Sequence, residues 1–145
     1  MSKFPESLLA DPGGTRATTT GATVGNVEVI TANRTLTTDD HMKTFLVGTD
    51  ALTITLPTSV AGLQYTFVNS GADGNNIITI SPASTDGIWG TITLAASVVD
   101  LGGTANKDLI NTKATSIKGD SATIVGGGSN DWYVVASTGI WAAEA

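Results

Sequence analysis

His41 is the chain's single histidine, and Asp39 and Asp40 stand directly before it. Histidine and carboxylate are two parts of a nucleophilic relay. That relay is assembled by the fold from distant positions, and the G-x-S-x-G string that presents a serine is missing. An exposed turn histidine is the expectation. One histidine and no cysteine cannot supply a structural zinc site. Asp73-Gly74-Asn75-Asn76 has the opening of a calcium loop, but no closing glutamate follows at the required place, so a β-turn is expected. A glycosidase pair needs two carboxyl groups ~5–9.5 Å apart in a groove. Asp50, Asp86, Asp120 and Asp131 instead sit near Gly or Asn at expected strand ends, which is turn chemistry. The chain is therefore expected not to be an enzyme, and no cofactor or metal is expected.

Trp89, Trp132 and Trp141 are the other residues that could recognise something. Aromatic platforms bind sugars, and they also fill cores and interfaces. Trp132 follows a hairpin signal inside an apolar run, so it is expected in the core. Trp89 and Trp141 are each open to a core position or to a contact between subunits.

The elements that must position these residues read as strands. In 44–69 (TFLVGTDALTITLPTSVAGLQYTFVN), Leu52, Ile54 and Leu56 alternate with Thr53 and Thr55 before Pro57. Leu63, Tyr65 and Phe67 alternate with Gln64 and Thr66. A period of two places one set on each face of a strand, whereas on a helix Ile54 would point away from Leu52 and Leu56. Further strands are expected at 27–30, 44–47, 77–80, 89–94, 98–101, 122–125 and 132–135. Thr38-Asp39-Asp40 reads as a turn or a brief capped helical turn. Loops fall at 69–76 and 126–131, which are dense in Gly, Asn and Asp. About ten short strands with turns every 8–12 residues predict an all-β protein, a single compact antiparallel sandwich or barrel-like domain over 26–145. No strict repeat is visible, so a solenoid is not expected.

Residues 1–25 differ. Pro5, Asp11-Pro12-Gly13-Gly14 and Thr18-Thr19-Thr20-Gly21 break regular structure. This stretch is expected to be an extended N-terminal arm. Phe4, Leu8 and Leu9 would be its anchors on a capsid or a neighbouring subunit.

The 145 residues carry a net charge of −6, with 14% charged residues and no cysteine. A disulfide framework is excluded. The Lys/Arg footprint that neutralises phosphates is lacking, so no nucleic-acid partner is expected. No run approaches the ~20 apolar residues of a membrane helix, so no membrane partner is expected. The first residues lack the apolar segment of a secretory signal, which points to synthesis in a cytoplasm.

Several strings together resemble a module of tailed-phage structural proteins. They are Leu36-Thr37-Thr38-Asp39-Asp40, Lys43-Thr44-Phe45-Leu46-Val47, Ile54-Thr55-Leu56-Pro57, Gly62-Leu63-Gln64-Tyr65-Thr66-Phe67-Val68 and Ile78-Thr79-Ile80. Gly119-Asp120-Ser121-Ala122-Thr123-Ile124 and Trp132-Tyr133-Val134-Val135 complete the pattern, which covers roughly 35–141. His41-Met42 departs from it, where such modules often carry a small residue. The resemblance implies a non-catalytic virion role. The leading expectation is a capsid decoration (cement) protein on the outer capsid surface, a homotrimer bound to the major capsid protein. The alternative is a receptor- or glycan-binding tip module of a fibre.

Overall fold

The computed structural model describes residues 25–145. The expected arm, with Phe4, Leu8 and Leu9, lies outside the described residues. The described chain is all-β, with thirteen strands and two single 3-10 turns. The strands are β1 (Val27–Ile30), β2 (Arg34–Thr35), β3 (Thr44–Val47), β4 (Leu52–Thr55), β5 (Gln64–Asn69) and β6 (Ile78–Ser81). They continue as β7 (Gly87–Trp89), β8 (Thr91–Leu94), β9 (Ser97–Asp100), β10 (Leu109–Asn111), β11 (Ser121–Gly128), β12 (Asp131–Thr138) and β13 (Ala142–Ala143).

Two sheets share the core. One has the order β1-β3-β5-β11-β12-β7, the other β13-β10-β6-β4-β2, and β8-β9 forms a separate hairpin. The first six strands alternate between the sheets, so the chain winds. β1, β3 and β5 are parallel neighbours in one sheet, and β2, β4 and β6 are parallel neighbours in the other. A parallel pair needs a crossover, and here a strand of the opposite sheet provides it. The sheets are thus mixed rather than purely antiparallel, and the first half is a short two-sheet coil. The coil carries no strict sequence repeat. Successive coils are unequal: Val27 lies opposite Thr44, Thr44 opposite Thr66, and Leu52 opposite Ile78. Unequal coils leave no fixed period to detect.

After β6 the chain jumps to the far end of the first sheet as β7 and makes the β8-β9 hairpin. It then fills the gap: β10 pairs antiparallel with β6, β11 with β5, and β12 with β11. β12 also pairs in parallel with β7.

The alternation read from the sequence is what fills the core. Phe45, Ile54, Tyr65, Phe67, Ile78, Ile80, Ile124 and Trp132 are all fully buried. Phe45 and Phe67 are register partners and stack with ring centroids 5.7 Å apart. Tyr65 lies 6.4 Å from Phe45 and 5.8 Å from Trp132, which extends the aromatic row across the sheet. Such pairs contribute ~0.5–1.5 kcal/mol beyond the burial itself.

Charged residues cover the first-coil end of the core. The alternation of β1 turns Glu28 inward, opposite Phe45. Glu28 pairs with Arg34 and Lys43, and both cations also bind Asp40. The Arg34 guanidinium lies 5.4 Å from the centre of the Phe45 ring, a cation–π contact. Asp40 belongs to a capping box on the 3-10 turn Thr38–Asp40: Thr37 N–H donates to Asp40 Oδ2 at 2.9 Å, and Asp39 N–H donates to Thr37 Oγ1. Burial pushes the Asp40 carboxyl up, but the Thr37 amide, Lys43 and Arg34 outweigh it and hold it below the ordinary value of 3.8. Burial, with the Asp40 charge adding, pushes the Tyr65 phenol up to about 12.

A carboxyl whose folded pKa is depressed stabilises the fold above its unfolded pKa. That contribution is lost as pH falls through the folded value. Melting temperature should therefore drop as pH is lowered from 3.8, and Asp40→Asn should flatten part of that drop. An unchanged acid slope in Asp40→Asn, followed by circular dichroism, would refute this role.

Candidate functional site

The β11-β12 hairpin builds the most distinctive surface. Ser129 and Asn130 form its tip with φ of 52° and 70°, the left-handed pair that a two-residue turn requires. The turn sets Asp131 at the start of β12 opposite Gly128. From there alternation sends Trp132 inward, while Asp131 and Tyr133 face outward together. β7 lies alongside, with Trp89 the register partner of Tyr133.

Two aromatic rings thus stand side by side on the outer face, 41% (Trp89) and 42% (Tyr133) exposed. Asp131 joins their polar ends. Trp89 Nε1–H donates to Asp131 Oδ1 at 2.8 Å, and the Tyr133 hydroxyl donates to Asp131 Oδ2 at 3.4 Å. Each ring rests on a glycine. A Cβ on Gly103 would fall 2.0 Å from Trp89 Cε2, and one on Gly127 would fall 2.4 Å from Tyr133 Cε2. Gly103 also has φ of 61°, a conformation that favours glycine. The register continues the row across the sheet from Tyr133 to Val125 and Gln64.

The other two tryptophans are placed differently. Trp132 is fully buried, as its alternation implies, and its Nε1–H donates to Asp86 Oδ2 at 3.3 Å. Trp141 is also fully buried, and its Nε1–H donates to Thr138 O at 3.0 Å. Of the two positions that the sequence left open for Trp141, its indole takes the core one. Among the three, Trp89 alone is available to a partner.

The acids are divided in a way the sequence did not show. Asp86 is fully buried and accepts Ser59 N–H at 2.7 Å. Asp120 is buried with Asn69 and Asn111: Asn69 Nδ2 donates to Asn111 Oδ1 at 2.7 Å, and Asn111 Nδ2 donates to Asp120 Oδ2 at 2.9 Å. Asp73 Oδ1 accepts Lys118 N–H at 2.8 Å. Asp50 accepts Ile77 N–H and pairs with Lys113. The Lys113 hydrogen bond, and after it the Ile77 amide, holds the Asp50 carboxyl below the ordinary value of 3.8.

His41 is exposed, and its Nδ1 accepts Gln64 N–H at 3.2 Å. The neighbouring Asp40 carboxylate is engaged by Thr37, Arg34 and Lys43 rather than by the imidazole. His41→Ala should change unfolding free energy by no more than ~0.5 kcal/mol, as exposed substitutions do. A larger change in a urea titration would give the histidine a role that its contacts do not.

No described helix is long and apolar enough to cross a membrane. No protein-family model matches the chain, and no curated protein shows significant similarity to it.

Proposed function

We propose that this chain is a virion structural protein of a tailed phage, bound to the outside of the capsid as a decoration protein. It is a homotrimer that takes the major capsid protein as its partner. It has no catalytic role, and it is made in the host cytoplasm before joining the shell. The observation that carries the proposal is where the resembling strings lie. Phe45, Val47, Ile54, Leu56, Tyr65, Phe67, Ile78, Ile80, Ala122, Ile124 and Trp132 all belong to one buried cluster spanning both sheets. These strings are core segments of the domain, which supports reading the resemblance as one of fold rather than of a surface motif.

The exposed apolar side chains fit a protein that binds a lattice. Val29, on edge strand β1, is 52% exposed, and Val98 on β9 is 73% exposed. Edge strands with unpaired backbone groups associate readily. A decoration protein that binds the assembled lattice but not free subunits stabilises the lattice by mass action. About 1,600 Å² per contact, repeated over a shell, is sufficient for this. Phe4, Leu8 and Leu9 of the arm are the proposed anchors, each contributing ~1.5–3 kcal/mol if buried. Ordering the arm costs ~1–2 kcal/mol per residue, so strand addition must supply backbone hydrogen bonds as well.

Two measurements test this. Native mass spectrometry at micromolar concentration should give a trimer, and a monomer throughout would count against it. A chain beginning at Val24 should keep its β circular dichroism but lose co-sedimentation with capsids stripped of this protein. If the full-length chain fails to bind those capsids, the decoration role is wrong. If the shortened chain binds equally well, the role stands and the arm is not the anchor. The fibre-tip reading is favoured by one observation only, the exposed pair Trp89 and Tyr133.

A further inference from the structure

We infer that Trp89, Tyr133 and Asp131 form a binding site for a neutral saccharide. The inference goes beyond the capsid role and does not depend on it.

A sugar ring has an apolar face of C–H groups and a rim of hydroxyls. It is held by a flat aromatic surface with hydrogen-bonding groups at its edge. The site matches both requirements. Trp89 and Tyr133 are adjacent in register on a rigid sheet, and each has one side against a glycine. Seated this way, the rings lose little freedom when a ligand arrives, so less binding energy goes into ordering them. Asp131 lies between their polar ends. Each of its oxygens accepts one bond from a ring, and a carboxylate has about four acceptor sites, so it can also take sugar hydroxyls.

Two features select the ligand class. Asp131 brings a negative charge to the rim, and the chain carries −6 overall, which disfavours acidic sugars. The row continues from Tyr133 through Val125 to the Gln64 amide, so the surface extends over four strands rather than ending in a single pocket. Strands ~4.8 Å apart make this row ~14 Å long. That suits an oligosaccharide lying across the strands better than a monosaccharide. A protein interface core is instead depleted of charge at its centre, where this site holds a carboxylate.

The test uses the full chain and a panel of neutral hexasaccharides built from glucose, mannose, galactose or N-acetylglucosamine. Trp132 and Trp141 are fully buried, so a change in tryptophan emission on titration reports on Trp89. At least one sugar should shift the emission saturably, and calorimetry should give the same affinity. Trp89→Ala should weaken that binding at least about tenfold, equivalent to ~1.4 kcal/mol. Tyr133→Ala and Asp131→Asn should each weaken it severalfold, with the melting temperature recorded for every variant. Should Trp89→Ala fail to fold, Tyr133→Ala keeps the test open, because that side chain is held mainly from outside the core. Binding of no member at 10 mM, a concentration at which even ~mM sites fill, would overturn the inference. So would equal affinity in folded Trp89→Ala or Tyr133→Ala. Loss of the oligomer in Trp89→Ala, with no sugar bound by the parent chain, would assign the pair to a contact between copies instead.

Discussion

Replacing Asp86 with alanine should be among the most damaging single changes in the domain, costing about 3–5 kcal/mol. The side chain is fully buried and supports two elements at once. Its Oδ2 accepts Ser59 N–H at 2.7 Å and Trp132 Nε1–H at 3.3 Å, while Thr85 Oγ1 donates to its Oδ1 at 3.2 Å. Removing the acceptor strands two buried donors, each costing ~1–3 kcal/mol. It also frees the indole that closes the aromatic row. The loosening of Ser59 would be passed on to β12, because its hydroxyl donates to Asp131 O at the foot of that strand. A urea titration should show a large fall in midpoint with an unchanged slope. A loss below about 1 kcal/mol would mean that water replaces the carboxylate and that the site is less closed than its burial indicates.

Asn111→Ala should cost a similar amount at the opposite rim. Asn111 is fully buried on β10 and joins three segments: it accepts from Asn69 of β5, and its amide donates to Asp120 and to Ile140 O. Asn69 Oδ1 in turn accepts Gly71 N–H at 3.0 Å and Asn76 Nδ2–H at 3.4 Å. Among the described residues, no buried side-chain nitrogen or oxygen lacks a partner, so the network has no slack. Truncation leaves the Asn69 amide and the Asp120 carboxylate each one bond short. A loss of about 3 kcal/mol is expected. Asn111→Asp is the informative companion. It keeps the shape but replaces the amide that donates to Asp120 and Ile140 O with a group that only accepts, so it should be at least as harmful. Equal stability of Asn111→Asp and the parent chain would show that the two bonds donated by the Asn111 amide add nothing.

Much of the core could be read in advance. Ile54, Leu56, Tyr65 and Phe67 alternate because one face of each strand is dry, and that constraint is written locally. The cap at Thr37 and Asp40 and the β11-β12 hairpin are likewise local chemistry. What could not be read is global. Parallel neighbours such as β3 and β5 are separated by a strand of the other sheet, and nothing in either strand states which edge it will meet. Acidic residues near Gly or Asn suggest turns, yet Asp86 and Asp120 are interior while Asp50 is not. A carboxylate accepting a backbone N–H serves equally at a surface turn or a sealed rim, so the residue type does not separate the two. The Trp89–Asp131–Tyr133 arrangement was half visible. Asp131 and Tyr133 flank an inward tryptophan two residues apart, which puts both on the outer face. Trp89 joins them only because β7 leaves the coil and becomes the neighbour of β12.

That departure of β7 has a consequence for how the chain is born. During synthesis the coil β1–β6 emerges complete, and the edges of β5 and β6 stay unpaired until β11 and β10 have been made. β7, already made, has no partner in its sheet until β12 follows. Pairing across such long separations is slow, because loop closure precedes the reward of contact. Over that interval two open strand edges face a crowded cell, where the same edges of another nascent copy are the best competitors. The most vulnerable moment of this protein therefore lies on the ribosome rather than in the finished fold. A slower passage through 82–120 would lengthen it.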